Sequence, residues 1–188
     1  MPHWSANFIR HLEGMCETKE SEAKPGIDCL RFTIDELKAQ RKRILDVTQC
    51  LKKYIKQTPI WDTVICNLTS IPGVAFLTAA TLYTEIVDIN RFENLDKLAS
   101  FVGLVPTSHS SGEHERQGGI TPRKNAHLRY LIIESTWVAV RTDPSMLKTF
   151  TELTKRMKKS AAIVRIARKL LNRIRFVWKN EEQYKCFC

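Results

Sequence analysis

Between Ile34 and Ile55 the chain carries a seam with a period near 3.5 residues. Positions 34, 37, 41, 44, 48, 51 and 55 read Ile, Leu, Arg, Ile, Thr, Leu, Ile. Such a stripe keeps one face of an α-helix apolar, and three heptads of it is close to the shortest length that supports a coiled coil. Thr33-Ile34-Asp35-Glu36 has the form of a capping box, in which hydroxyl and carboxylate each satisfy a free amide of the first turn. The pattern predicts a helix from Thr33 to near Pro59. Two arrangements fit it: pairing with another helix through residues 33–57, or packing on the chain's own domain. Residues 1–32 are polar and mixed, with a short helix expected around Phe8, Ile9 and Leu12 and a break at Lys24-Pro25-Gly26.

The following stretch, LTSIPGVAFLTAA from Leu68, reads as a helix end, a Pro-Gly turn and a second helix from about Val74. That is the form of a helix-hairpin-helix, in which Gly73 would let the backbone approach a phosphate at the N-terminus of the second helix. Ala75 stands where a second glycine is usual, and an ordinary packing corner explains the same residues. A short helix with Phe92, Leu95 and Leu98 inward comes next. Thr121-Pro122 predicts another helix start, since proline is tolerated at the first helical position. Leu128, Leu131, Ile132, Ser135, Val138 and Ala139 form its buried face, and Pro144 ends it. A last long helix follows Ser160, with Ile163, Ile166, Ala167, Leu170, Ile174 and Val177 in one sector. No stretch alternates persuasively between apolar and polar residues, so no strand is predicted. The expected fold is all-α: an N-terminal linker (1–32), a coiled-coil-like helix (33–58) and a compact helical domain (59–182).

Charge adds a direction to this outline. The net charge is +10, but residues 1–111 hold 13 Lys/Arg against 13 Asp/Glu, whereas residues 112–188 hold 17 against 7. No acidic residue occurs from Leu153 to Asn180, and Arg165, Arg168, Lys169 and Arg173 lie opposite the apolar sector of the last helix. A helix face of one sign suits a polyanion. Six cysteines lack paired CxxC spacing and read as free thiols, so no metal site is expected. No segment reaches the ~18 apolar residues of a membrane span, and a cytoplasmic protein without membrane contact is expected.

The long polar stretch from Leu98 to Arg129 remains: LASFVGLVPTSHSSGEHERQGGITPRKNAHLR. Ser110, Ser111 and Gly112 sit at its centre. A serine hydroxyl becomes a useful nucleophile only when a base takes its proton and cations or donors stabilise the charge it creates. His109 and His114 are near in sequence, while Arg116, Arg123, Lys124 and Arg129 could neutralise a phosphodiester. A glycine-rich turn whose serines merely cap a helix explains the composition equally well.

The order and spacing of Gly103-Leu104-Val105-Pro106, Ser111-Gly112, Arg116, Gly118, Ile120, Asn125 and Leu128-Arg129 resembles one known pattern. It is similar to the serine-bearing C-terminal domain of insertion-sequence transposases that pair this domain with a RuvC-like one, and to Piv-type DNA invertases. The resemblance covers roughly residues 60 to 180. It implies that Ser111, with Ser110 as fallback, attacks a DNA phosphodiester during strand exchange. DNA is then the partner, joined in insertion-sequence members by a guide RNA, and residues 33–57 form a dimerising coiled coil. It also implies Mg²⁺, held by four acidic residues of the RuvC-like domain. This sequence holds neither that domain nor a cofactor site of its own, so it reads as a truncated, split or decayed copy. Lys124 further replaces the glycine usual before Asn125. Two other readings stand beside this one: a non-catalytic DNA- or RNA-binding module, and a dimerisation module built on residues 33–57.

Overall fold

The computed structural model describes residues 5–18, 25–111, 114–120 and 125–185. Two compact units divide at Tyr54/Ile55. The first holds α1 (Ala6–Thr18) and most of α2 (Pro25–Gln57). The Ser5 hydroxyl accepts from the Phe8 amide and opens α1. Ile9 and Cys16 bury against Ile34, with Leu12, Leu30 and Leu37 packed around them. Glu13 pairs with Lys38 and Arg31 donates to the Cys16 carbonyl at 3.2 Å. Helix α2 begins eight residues before the expected Thr33. Pro25 opens the helix instead of breaking the chain, because its missing amide costs nothing in a first turn. Thr33 lies inside α2, and its hydroxyl donates to the Cys29 carbonyl at 2.7 Å. The seam therefore divides. Ile34 is spent on α1, whereas Ile44 is 61% exposed in the middle of the helix.

The second unit is helical, in keeping with an all-α fold. After the last turn of α2 come α3 (Pro59–Thr69), α4 (Phe76–Ile86), a 3₁₀ turn (Ile89–Arg91) and α5 (Leu95–Val102). Then follow α6 (Ala126–Thr142), α7 (Pro144–Thr154) and α8 (Lys159–Asn180). Helix α8 is the centre of the unit and packs against α3, α5, α6 and α7. Its six apolar positions named from sequence are all buried, together with Ala162, Leu171 and Trp178. On α6, Leu128, Ile132, Ser135 and Ala139 are buried, but Val138 lies outward. The Trp178 ring stacks on Tyr83 with centroids 5.5 Å apart, locking α8 to α4.

One pair of strands interrupts the helices: β1 (Pro106–Ser111) and β2 (His114–Ile120), antiparallel. The sequence did not predict them. Their residues are polar on both faces, so the apolar alternation that marks a strand has nothing to alternate. The readable signal was the two-residue spacer Gly112-Glu113, a length and leading glycine that hairpins favour. Between Pro106↔Ile120 and Ser108↔Gln117 the register slips by one residue, where Gly118 and Gly119 stand on β2.

The joint between α6 and α7 carries a buried ion pair. Asp143 caps α7, accepting from the Ser145 amide at 2.8 Å and the Met146 amide at 3.2 Å. The same carboxylate pairs with Arg173 of α8, and its side chain is fully buried. Burial would raise the Asp143 pKa, but the bonds from Arg173 and the two amides, with the Arg173 charge, hold it below the ordinary carboxylate value. Asp143→Asn keeps an oxygen for the amides and loses the charge facing Arg173. The expected cost is about 2 kcal/mol in urea denaturation at neutral pH. A depressed folded pKa gives stability that is complete above the unfolded value of roughly 3.9 and is lost as pH falls through the folded one. The gap between wild type and variant should shrink in that acid window.

Candidate nucleic-acid interface

The serine-bearing hairpin is held by its two roots. Upstream, Gly103 ends α5 in the left-handed region (φ 81°), where glycine alone has no steric penalty. Its amide donates to the Ser100 carbonyl at 3.1 Å, and the Leu104 amide reaches the Ala99 carbonyl at 2.8 Å. Leu104 is fully buried. The Gly103–Pro106 run is thus a helix stop, an anchor and a strand start in succession.

Downstream, Asn125 ties four things together. Its amide donates to the Phe101 carbonyl at 3.4 Å, joining the two roots. Its side-chain oxygen caps α6 by accepting from the Leu128 amide at 3.1 Å, and its side-chain nitrogen donates to Glu85 of α4 at 2.7 Å. Asn125, rather than Thr121, is the helix cap, and α6 starts at Ala126. Thr121 and Pro122 lie outside the described residues. Sequence reasoning missed Glu85, which stands 40 residues away as the one charged residue of α4.

This contact predicts a reciprocal swap. Asn125→Asp keeps the cap but sets two carboxylates against each other, so amide exchange in the hairpin should quicken, with a loss of about 1 kcal/mol. Adding Glu85→Gln restores the bond with donor and acceptor exchanged. Exchange in the double variant that stays as fast as in Asn125→Asp would show that the contact does not hold the hairpin.

The backbone register sets Ser111 opposite His114, Ser110 opposite Glu115 and His109 opposite Arg116. Ser110 and Ser111 therefore stand at the distal end of β1, and Arg116 three residues into β2. Gly112, Arg123 and Lys124 lie outside the described residues. Arg129 sits one turn into α6, its amide bonded to the Asn125 carbonyl. Its Nη1 is buried and has no hydrogen-bond partner among the described residues.

Gly73 packs closely on α6. At φ 90° its bare face presses on α6, so that a Cβ there would lie 2.4 Å from the Ser135 carbonyl oxygen and 2.8 Å from the Ala139 nitrogen. The next helix, α4, opens at Ala75 with no side-chain cap.

The cations of α8 divide by partner. Arg173 faces inward to Asp143, and its guanidinium lies 4.9 Å from the centre of the Tyr184 ring. Arg168 pairs with Asp96 at 2.5 Å, and Arg175 donates to the Glu93 carbonyl at 2.9 Å. Lys169 donates to the neutral Thr149 hydroxyl at 3.0 Å, and Arg165 is exposed on the outer face. Of the four cations named from sequence, Arg165 and Lys169 keep an unneutralised charge among the described residues. The charge pattern could not separate them, because the acidic partners come from distant segments.

Residues 66–152, from the end of α3 to the end of α7 and so including the hairpin, match the model of the Transposase IS116/IS110/IS902 family. The transposase for insertion sequence element IS1111A of Coxiella burnetii is 37% identical over 125 residues, 64% of this chain and 34% of that protein. Putative transposase y4qE of Sinorhizobium fredii is 38% identical over 81 residues, 42% of this chain and 21% of that protein. An uncharacterized 43.6 kDa protein of insertion element IS110 from Streptomyces coelicolor is 28% identical over 154 residues, 79% of this chain and 37% of that protein. The chain spans about a third of the length of the relatives it matches, or less. No helix among the described residues is long and apolar enough to cross a membrane.

Proposed function

We propose that this chain is the serine-bearing part of a DNA transposase, and that Ser111 attacks a DNA phosphodiester during strand exchange. The observation that carries this reading is the family match, because the matched residues enclose the whole hairpin and both its roots. In the proposed step Ser111 Oγ bonds to phosphorus as its proton passes to a base, His109 or His114. The bond from phosphorus to a sugar oxygen breaks, and that oxygen takes a proton. Arg116, Arg123, Lys124 and Arg129 would neutralise the charge gathering on the phosphate, which is where fixed cations accelerate such a reaction most. Rejoining to another strand reverses the step and frees the serine. Among the described residues no group of three or more His, Cys, Asp or Glu could hold a metal ion. The Mg²⁺ that the resemblance implies would belong with a RuvC-like domain.

The test is trapping. A nicked suicide substrate, supplied with a RuvC-like domain, Mg²⁺ and a guide RNA, should leave the protein covalently attached to DNA through Ser111. A complex that dissolves completely in denaturant would leave a binding module, the reading that the cations of α8 support by themselves. In either case Arg165 and Lys169 are the proposed phosphate contacts, with Arg168 available only if its pair with Asp96 opens. The helix-hairpin-helix reading of Gly73 reduces to the uncapped start of α4.

The outward part of the α2 seam is the proposed contact between two copies. Ile44 of the seam and its neighbours Leu45 and Val47 are each about three-fifths exposed, and two such faces could bury each other as in a coiled coil. Ile44→Asp should raise the dimer dissociation constant at least about tenfold, since it sets a charge in an apolar seam. Light scattering that gives the wild-type mass for a folded variant would leave α2 without that partner.

A further inference from the structure

The outer edge of α8 holds a line of side chains spaced four, three, four and three residues apart: Arg165, Lys169, Asn172, Phe176 and Lys179. All five are exposed. Alternate steps of four and three keep them on one face, along about 21 Å of helix at ~1.5 Å per residue. Neither Arg165 nor Lys179 has an acidic partner among the described residues, and Lys169 bonds only a neutral hydroxyl. Phe176 is the anomaly in this line. The residue is 62% exposed on a helix whose other large apolar side chains are inside, so it contributes little to folding.

Phe176 borders a cleft of ≈ 420 Å³, lined also by Asn172, Arg173, Glu182, Tyr184 and Lys185. The far wall is fixed in place. The Tyr184 amide donates to the Ser70 hydroxyl at 2.7 Å, Asn67 donates to the Glu181 carbonyl at 2.9 Å, and Arg173 lies over the Tyr184 ring. This volume is within the range of small-ligand sites. The cleft offers a flat apolar face at Phe176, a side-chain amide at Asn172 and cations on both sides. That combination suits a planar heterocycle carried on a polyanion.

We propose that Phe176 is a stacking platform for an unpaired nucleobase of single-stranded nucleic acid whose phosphates follow Arg165, Lys169 and Lys179. The proposal rests on the nucleic-acid reading of α8 and adds to it a strand type and a residue. Base-on-ring stacking tolerates any sequence, because every base has a flat face. Duplex DNA hides those faces and gains nothing from the ring.

Fluorescence anisotropy on the full chain tests this with four probes: a twelve-nucleotide single-stranded DNA, the same strand as RNA, a fully abasic version, and duplex DNA. Phe176→Ala should weaken binding of the first two by about tenfold and leave the abasic strand and the duplex unchanged. Phe176→Trp should bind the two single strands at least as tightly as wild type. Arg165→Ala should weaken all four. A difference between the DNA and RNA strands identifies which of the two occupies the cleft. Equal loss on the abasic strand, no loss with Phe176→Ala, or a change of oligomeric mass in that variant would overturn the proposal. Wild-type protein that binds none of the four probes would overturn the nucleic-acid reading itself.

Discussion

Gly73→Ala is expected to destabilise the second unit by about 3–5 kcal/mol, combining backbone strain with overpacking. A residue with a Cβ resists the left-handed region, and Gly73 is held there at φ 90°. The added carbon would also lie 2.4 Å from the Ser135 carbonyl oxygen, which α6 cannot move without disturbing its own ladder. Both penalties act in the folded state, so urea denaturation should show an earlier midpoint. Ala75→Gly is the control. Ala75 is exposed at the start of α4, at φ −84°, and glycine there should cost a few tenths of a kcal/mol. Nucleic-acid affinity per folded molecule should not change with Gly73→Ala. If affinity falls while stability stays at the wild-type level, Gly73 touches phosphate and not α6.

Gly73 also illustrates how sequence and structure divided the work. The Pro-Gly turn between two helices was legible, because proline and glycine constrain the backbone wherever they stand. What the glycine faces was not, since Ser135 and Ala139 are more than sixty residues away. Helix α8 was legible for the opposite reason. Its apolar positions at 163, 166, 167, 170, 174 and 177 repeat at the helical period, and one face of a helix must find the core. Arg173 sits on the polar side of the same wheel yet turns inward to Asp143, a partner that no local period reveals. Thr33 to Glu36 imitated a helix start, but α2 is already under way from Pro25, and the Thr33 hydroxyl bonds the Cys29 carbonyl one turn back. The hairpin was the largest omission. A strand with polar residues on both faces gives no alternation, and the Phe101–Asn125 bond that closes its base joins residues 24 apart in sequence. In the candidate site, then, the ordered motif residues were visible and the contacts that fix them were not.

Ser111→Ala should abolish covalent capture of DNA, cutting strand transfer at least about a thousandfold, because it removes the proposed attacking oxygen. Folding should barely change. The substitution removes one hydroxyl at the distal end of β1, next to the two-residue spacer, and leaves the backbone pairing with His114 in place. Its stability cost should be at most the ~1 kcal/mol of a lost cap. Ser110→Ala, one position back and opposite Glu115, should be far milder, and that contrast makes the assignment specific. The assay requires a RuvC-like domain fused or in trans, Mg²⁺, a guide RNA and the nicked substrate, with DNA affinity measured alongside. Affinity should stay near wild type in both variants, since the proposed phosphate contacts are Arg165, Lys169 and the cations flanking the hairpin. Covalent complex at the wild-type level with Ser111→Ala would move the nucleophile elsewhere. If Ser110→Ala alone abolishes it, the attacking oxygen belongs to the neighbouring serine.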